Sequence, residues 1–167
     1  VLGCYYHLHY DPENSEVKRA MISQADALCK EYRFNASKDW AWFETALTYS
    51  NGMLPRALFM AYIASKNKEY LDIATESLNF LTSVCIVDDM LHPIGCNGWY
   101  IKGYERAWYD QQPVDPLGHQ LSYLAAYEAT KDPKYLRLAK ICFDWFFGHN
   151  SVGEALYDPV TGGCYDA

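Results

Sequence analysis

The chain has 167 residues, half of them apolar, and 21 acidic against 14 basic side chains leave a formal charge of −7. That length and apolar content suit one domain, residues 1–167, with a sizeable core, and they exclude a disordered chain. The acidic balance excludes a nucleic-acid or anionic-membrane surface, since either needs a basic patch, and no apolar run is long enough to cross a bilayer.

In chain order, Val1–Tyr10 alternates His7 and His9 with Tyr6, Leu8 and Tyr10. A period of two predicts a short extended segment. A metal reading of the two histidines lacks a third ligand nearby. Asp11-Pro12 marks a turn, and Val17, Met21, Gln24 or Ala25, and Leu28 then recur at helical spacing, which predicts a helix over about Glu13–Tyr32. The next helix is the apolar run Met53–Ser65.

An internal repeat organises the rest. Ala61–Leu71 matches Ala126–Leu136 at a constant offset of 65 residues. The match continues as Ile73-Ala74 against Leu138-Ala139 and Phe80-Leu81 against Trp145-Phe146. Each copy, at about 52–86 and 116–148, reads as helix, tight turn, helix. The first helix of each pair (Ala57–Ala64, Leu121–Tyr127) is apolar nearly all round, as a helix buried on all sides is. The second carries one stripe: Leu71, Ala74, Leu78, Leu81 and Cys85 in one copy, Leu136, Ala139, Phe143 and Phe146 in the other. Hairpins of an inner and an outer helix, stacked side by side, make an all-α solenoid or (α/α) toroid.

The turns inside the hairpins are short. The links between them, Arg33–Asn51 and Val87–Asp115, are long, and a third begins near Gly148. Antiparallel hairpins put all short turns at one end and all long links at the other, and long ordered loops are usually functional. The links also hold the repeated tripeptides Trp42-Phe43-Glu44 and Trp108-Tyr109-Asp110. Glu44 and Asp110 are the candidate catalytic pair. On neighbouring helices two such acids would stand roughly 6–10 Å apart, which overlaps the separation of an inverting glycosidase. An aromatic collar would raise the pKa of one of them, as a general acid requires. The structural alternative is that both cap helices. Asp39, Trp40, Trp42, Tyr49, Trp99, Trp108, Gln111 and Gln112 are candidate ligand contacts, the rings for stacking and the amides for hydroxyls. Each ring could equally be core. Asp115-Pro116 reads as a helix N-cap followed by Pro. No cofactor or metal signature is present.

The six cysteines form no C-x-x-C pair, and Cys29, Cys85 and Cys142 fall within helical patterns. Free thiols and a reducing, cytoplasmic setting are the expectation. The start at Val1 and the stop after Asp166-Ala167 suggest a piece of something longer.

Four segments carry a resemblance: Trp40–Leu58, Tyr109–Asp115, Trp145–Asn150 and Gly162–Asp166. They resemble a bacterial helical-toroid family similar to the six-hairpin glycosidases, found alone or fused C-terminal to glycosyltransferase domains. The resemblance implies an (α/α) toroid, a carbohydrate ligand, and a glycosyltransferase domain or the remainder of the toroid as partner. It carries over no catalytic residue. Where the family pattern has Asp-Gly-Leu after Tyr165, this sequence has Asp166-Ala167, and three hairpins at most make an arc of a six-hairpin barrel. The functional expectation is a glycoside hydrolase-like domain. The alternatives are a non-catalytic carbohydrate-binding or scaffold module attached to a glycosyltransferase, and a helical protein-interaction domain.

Overall fold

The computed structural model describes residues 1–167, and the chain is all-α apart from four two-residue strands. In order these are α1 (Leu2–Tyr10), α2 (Ser15–Asn35), β1 (Ala46–Leu47), α3 (Met53–Ser65), α4 (Lys68–Cys85), β2 (Ile86–Val87), β3 (Met90–Leu91), β4 (Tyr100–Ile101), α5 (Val114–Thr130) and α6 (Lys134–Asp144). No helix is long and apolar enough to cross a membrane.

The repeat recurs at the level of single hydrogen bonds. Ser65 and Thr130 each donate a hydroxyl to the carbonyl four residues back, Ala61 and Ala126, both at 2.7 Å. Lys66 and Lys131 both end their helices in the left-handed conformation, at φ 61°. Each lysine then folds back over a tyrosine ring, Tyr62 at 5.5 Å and Tyr127 at 5.6 Å. Asn67 and Asp132 each accept the backbone N–H two residues on, opening α4 and α6. One turn chemistry therefore makes both hairpins.

Burial follows the inner and outer pattern with two exceptions. Helix α3 is buried without a break from Pro55 to Ala61, and α4 buries Ala74, Leu78, Leu81 and Cys85 as expected, with Leu71 only half-buried. On α6 the expected stripe is rotated. Tyr135, Leu138, Ala139 and Cys142 face α5, while Leu136 and Phe143 are 42% and 48% exposed. Helix α5 also keeps an outward face, with Val114, Leu117 and Leu124 exposed.

The N-terminal segment is helix α1 where alternation suggested an extended strand. No sheet is available to pair it, whereas Leu2, Tyr5 and Leu8, three apart, pack as one helical face against α2 and α3. Tyr5 is buried and Tyr6 receives a bond from the Arg56 guanidinium at 2.7 Å. Helix α2 starts two residues later than expected, at Ser15, because Asn14 rather than the Asp-Pro turn supplies the cap, accepting from the Val17 N–H at 3.1 Å.

Helices α3 and α5 lie side by side and both start at the end that carries the links. There Gly52 meets Gly118 so closely that a Cβ on Gly52 would fall 2.3 Å from the Gly118 carbonyl oxygen. The three long links gather at this same end. The first and second pair as β1–β4, with Ala46 opposite Ile101 and Leu47 opposite Tyr100. The second and third pair through Gln111 and Ala167, which exchange both backbone bonds, at 2.6 and 2.9 Å.

Candidate functional site

The link-rich end is built on buried aromatic and amide anchors. Trp40 stacks edge-on against Phe80 and Tyr100 and donates its indole N–H to the Glu44 carbonyl at 2.7 Å. Trp42 is fully buried beside Phe43 and Phe80. Gln111 is buried as well, its amide donating to the Trp108 carbonyl at 2.8 Å and accepting from the Trp145 indole at 3.3 Å. These three expected ligand contacts are corrected to core: none offers an open ring face or a free amide. The reason is that each link folds inward to close the end of its hairpin, and the largest side chains fill the space. Gln112 is half-buried and uses its carbonyl to receive the Asp115 N–H.

The remaining candidates face outward, apart from Trp99, which is half-buried against the core. Tyr49 is 60% exposed and its ring stands 6.0 Å from that of Trp99, tilted by 42°. Trp108 is half exposed, backed by the Arg106 guanidinium at 4.1 Å from its ring centre and flanked by His92. Asp39 lies at the exposed tip of the Ser37–Trp40 turn. Glu44 and Asp110 are both exposed. Asp110 adopts φ 60°, the left-handed region, so the chain reverses there and turns Gln111 inward. Its carbonyl holds the Cys96 N–H at 3.0 Å. Close packing of the 95–99 turn on this stretch requires Gly95, where a Cβ would lie 1.9 Å from the Tyr109 oxygen.

The two acids occupy one end of the molecule yet are not equivalent within the repeat. Glu44 precedes the first residue of α3 by nine positions and Asp110 precedes that of α5 by four. Neither caps a helix, since Gly52 and Pro113 hold the N-cap positions. Neither is enclosed by the aromatic collar, whose rings Trp40 and Trp42 are used up in the core.

The desolvated acid at this end is Asp115. It stands in the first turn of α5, beyond the N-cap position that its sequence context suggested. Its Oδ1 crosses to the first link and accepts the backbone and side-chain N–H groups of Asn51 at 3.3 and 3.4 Å. Burial pushes its carboxyl up to about 7, against the opposing pull of bonds from Asn51 and Ser50. One turn along, His119 is wholly buried, and burial takes its imidazole down to about 4, with its Nδ1 2.7 Å from the Asp115 carbonyl. Asp115 Oδ2, His119 Nε2 and Ser122 Oγ are buried and have no partner in the protein. Asn51 in turn clamps Thr48 from both sides, at 3.0 and 2.9 Å, so the Asp115–Asn51 tie fixes the turn that carries Tyr49. The signal available in the sequence was the position of Asn51 and Asp115 at the starts of the two inner helices.

Comparison with protein-family models, with curated proteins and with solved structures finds no match to this chain.

Proposed function

We propose that this chain is a carbohydrate-handling domain, an arc of an (α/α) toroid whose link-rich end receives the sugar. The observation that carries the reading is the convergence of all three long links at that end, which pairs Tyr49 with Trp99 and leaves Tyr49, Trp108, Asp39, Glu44 and Asp110 exposed. Aromatic faces next to hydroxyl-binding acids are what a sugar ring requires. The parallel inner helices and the outward apolar face of α5 support the toroid, because an arc leaves such a face for a neighbouring hairpin. The six free thiols suit a reducing compartment such as the cytoplasm.

In the hydrolytic form of this reading Glu44 and Asp110 act as acid and base across a bound glycoside. Reducing-sugar release is measured for the unmodified chain, Glu44→Gln and Asp110→Asn on a panel of glycans. Each substitution is expected to lower turnover at least about a hundredfold, the usual worth of a positioned acid or base. Turnover equal to that of the unmodified chain in both variants rejects the roles.

The exposure of both acids favours a second form, in which the domain binds a glycan without cleaving it and serves a glycosyltransferase domain. That form expects sugar affinity to fall on Trp99→Ala with no turnover of any glycan. Titration calorimetry across the same panel separates the two.

A further inference from the structure

A second feature lies on the flank of the link-rich end. Ser83 and Val84 at the end of α4, Val87 of β2, and Tyr100, Tyr104, Glu105, Arg106 and Trp108 of the second link line an open surface cleft of about 600 Å³. That volume is within the range of small-molecule sites. The cleft is separate from the Tyr49–Trp99 pair, since neither ring lines it. Trp99 goes to Tyr49 and Tyr100 goes to Trp40 and the cleft.

We propose that this cleft is a binding site for a neutral sugar ring, an outer subsite that extends the carbohydrate reading given above and rests on it.

The chemistry of the wall selects the ligand. A phosphate or carboxylate would need a free guanidinium fork. Arg106 has none to give: Nη1 is committed to the Val84 carbonyl at 2.5 Å, and Nη2 to the His92 and Pro93 carbonyls, both at 2.7 Å. Its Nε has no partner but is buried out of a ligand's reach, and the Glu105 carboxylate beside it repels an anion. A cationic ligand would meet the Arg106 charge, which already occupies one side of Trp108. A ligand that is neutral, flat on one side and hydroxylated at its edge meets neither objection. Tyr104 (74% exposed) and Trp108 offer ring faces, and Glu105 and the tyrosine hydroxyls offer hydrogen bonds. The wall is also built in advance. The Ala107 N–H bonds the Trp99 carbonyl at 2.8 Å, the Gly95 N–H bonds the Ala107 carbonyl at 3.0 Å, and the Tyr104 N–H bonds the Ile101 carbonyl at 3.0 Å. A preorganised wall loses little freedom on binding.

The test is titration calorimetry of the full chain with gluco-, manno-, galacto- and xylo-oligosaccharides. The unmodified protein is compared with Tyr104→Ala, Glu105→Gln and, for the Tyr49–Trp99 pair, Tyr49→Ala. Tyr104 and Glu105 are exposed, so their loss leaves the fold intact, which circular dichroism checks. A fall in affinity of about tenfold in Tyr104→Ala and in Glu105→Gln supports the subsite, as one lost stacking or hydrogen-bonding contact is worth about that factor. Oligosaccharide binding that is weakened by Tyr49→Ala and untouched by the two cleft variants overturns the subsite and leaves the broader reading standing. Binding of inorganic phosphate or tetramethylammonium that depends on Tyr104 overturns the neutral ligand class. No response to any oligosaccharide in the unmodified chain overturns both readings together.

Discussion

At the scale of single residues, the consequential division is between rings that close the core and rings that face water. Trp42 is fully buried and Tyr49, seven residues on, is mostly exposed. Trp42→Ala is therefore expected to cost about 3–5 kcal/mol of stability, the usual price of a large aromatic removed from a core. Tyr49→Ala should stay within about 0.5 kcal/mol. Urea unfolding of the two variants checks both, and a mild Trp42→Ala would contradict its place in the core. The sequence could not make this division. The links have neither the helical nor the strand period, so nothing in Trp40–Tyr49 or Trp108–Gln112 says which side chains point inward. The helices do have a period, and most of their core positions were legible.

Asp115 and His119 yield a second expectation at this scale. The folded chain keeps the Asp115 proton up to about pH 7, whereas an unfolded carboxyl loses it near 4. The fold binds the extra proton, so the Asp115 contribution to stability is present at low pH and is lost as pH rises through that window. His119 acts in the opposite sense. It stays neutral in the fold down to about pH 4, while a free imidazole protonates near 6.5, so acidification through that range removes stability. Between about pH 4 and 6.5 the two slopes oppose each other. Asp115→Asn leaves only the histidine slope, and between pH 6 and 5 the variant should lose about 1 kcal/mol more than the unmodified chain. Urea midpoints at the two pH values measure this; equal losses in both proteins would contradict the burial of Asp115 as a raised acid.

At the scale of elements, the contact of α3 with α5 is set by Gly52 and Gly118, and the two glycines are not alike. A Cβ on Gly52 runs into the backbone of Gly118, while one on Gly118 finds its nearest neighbour at an ordinary 3.8 Å. Gly52→Ala is expected to destabilise by at least about 2 kcal/mol through forced separation of the helices. Gly118→Ala should be neutral or gain up to about 1 kcal/mol from helix propensity. Equal effects in denaturant unfolding would contradict the packing. Helix existence and type were largely readable, from the apolar run of α3 and the stripes of α2 and α4. Two elements were not. The period-two pattern of α1 yields to the face made by Leu2, Tyr5 and Leu8. The α6 stripe is turned because α5 presents its own face to Tyr135, Leu138 and Cys142 rather than to Leu136 and Phe143.

At the scale of the molecule, the repeat was the most legible feature, since turn residues at a fixed offset leave their mark in sequence. Ser65, Lys66 and Asn67 and their partners Thr130, Lys131 and Asp132 make the same bonds twice. The site was half legible. The end of the bundle could be named from link lengths, whereas the tie from Asp115 to Asn51 spans 64 residues and leaves no local pattern. The central claim is that this end, and no other surface, meets carbohydrate. Amide chemical-shift mapping during titration with a bound oligosaccharide tests it most directly. The account expects perturbations confined to residues 37–51, 83–113 and 145–167. Shifts centred on the opposite end, at the 65–68 and 130–134 turns, or on the outer face of α2, would contradict it.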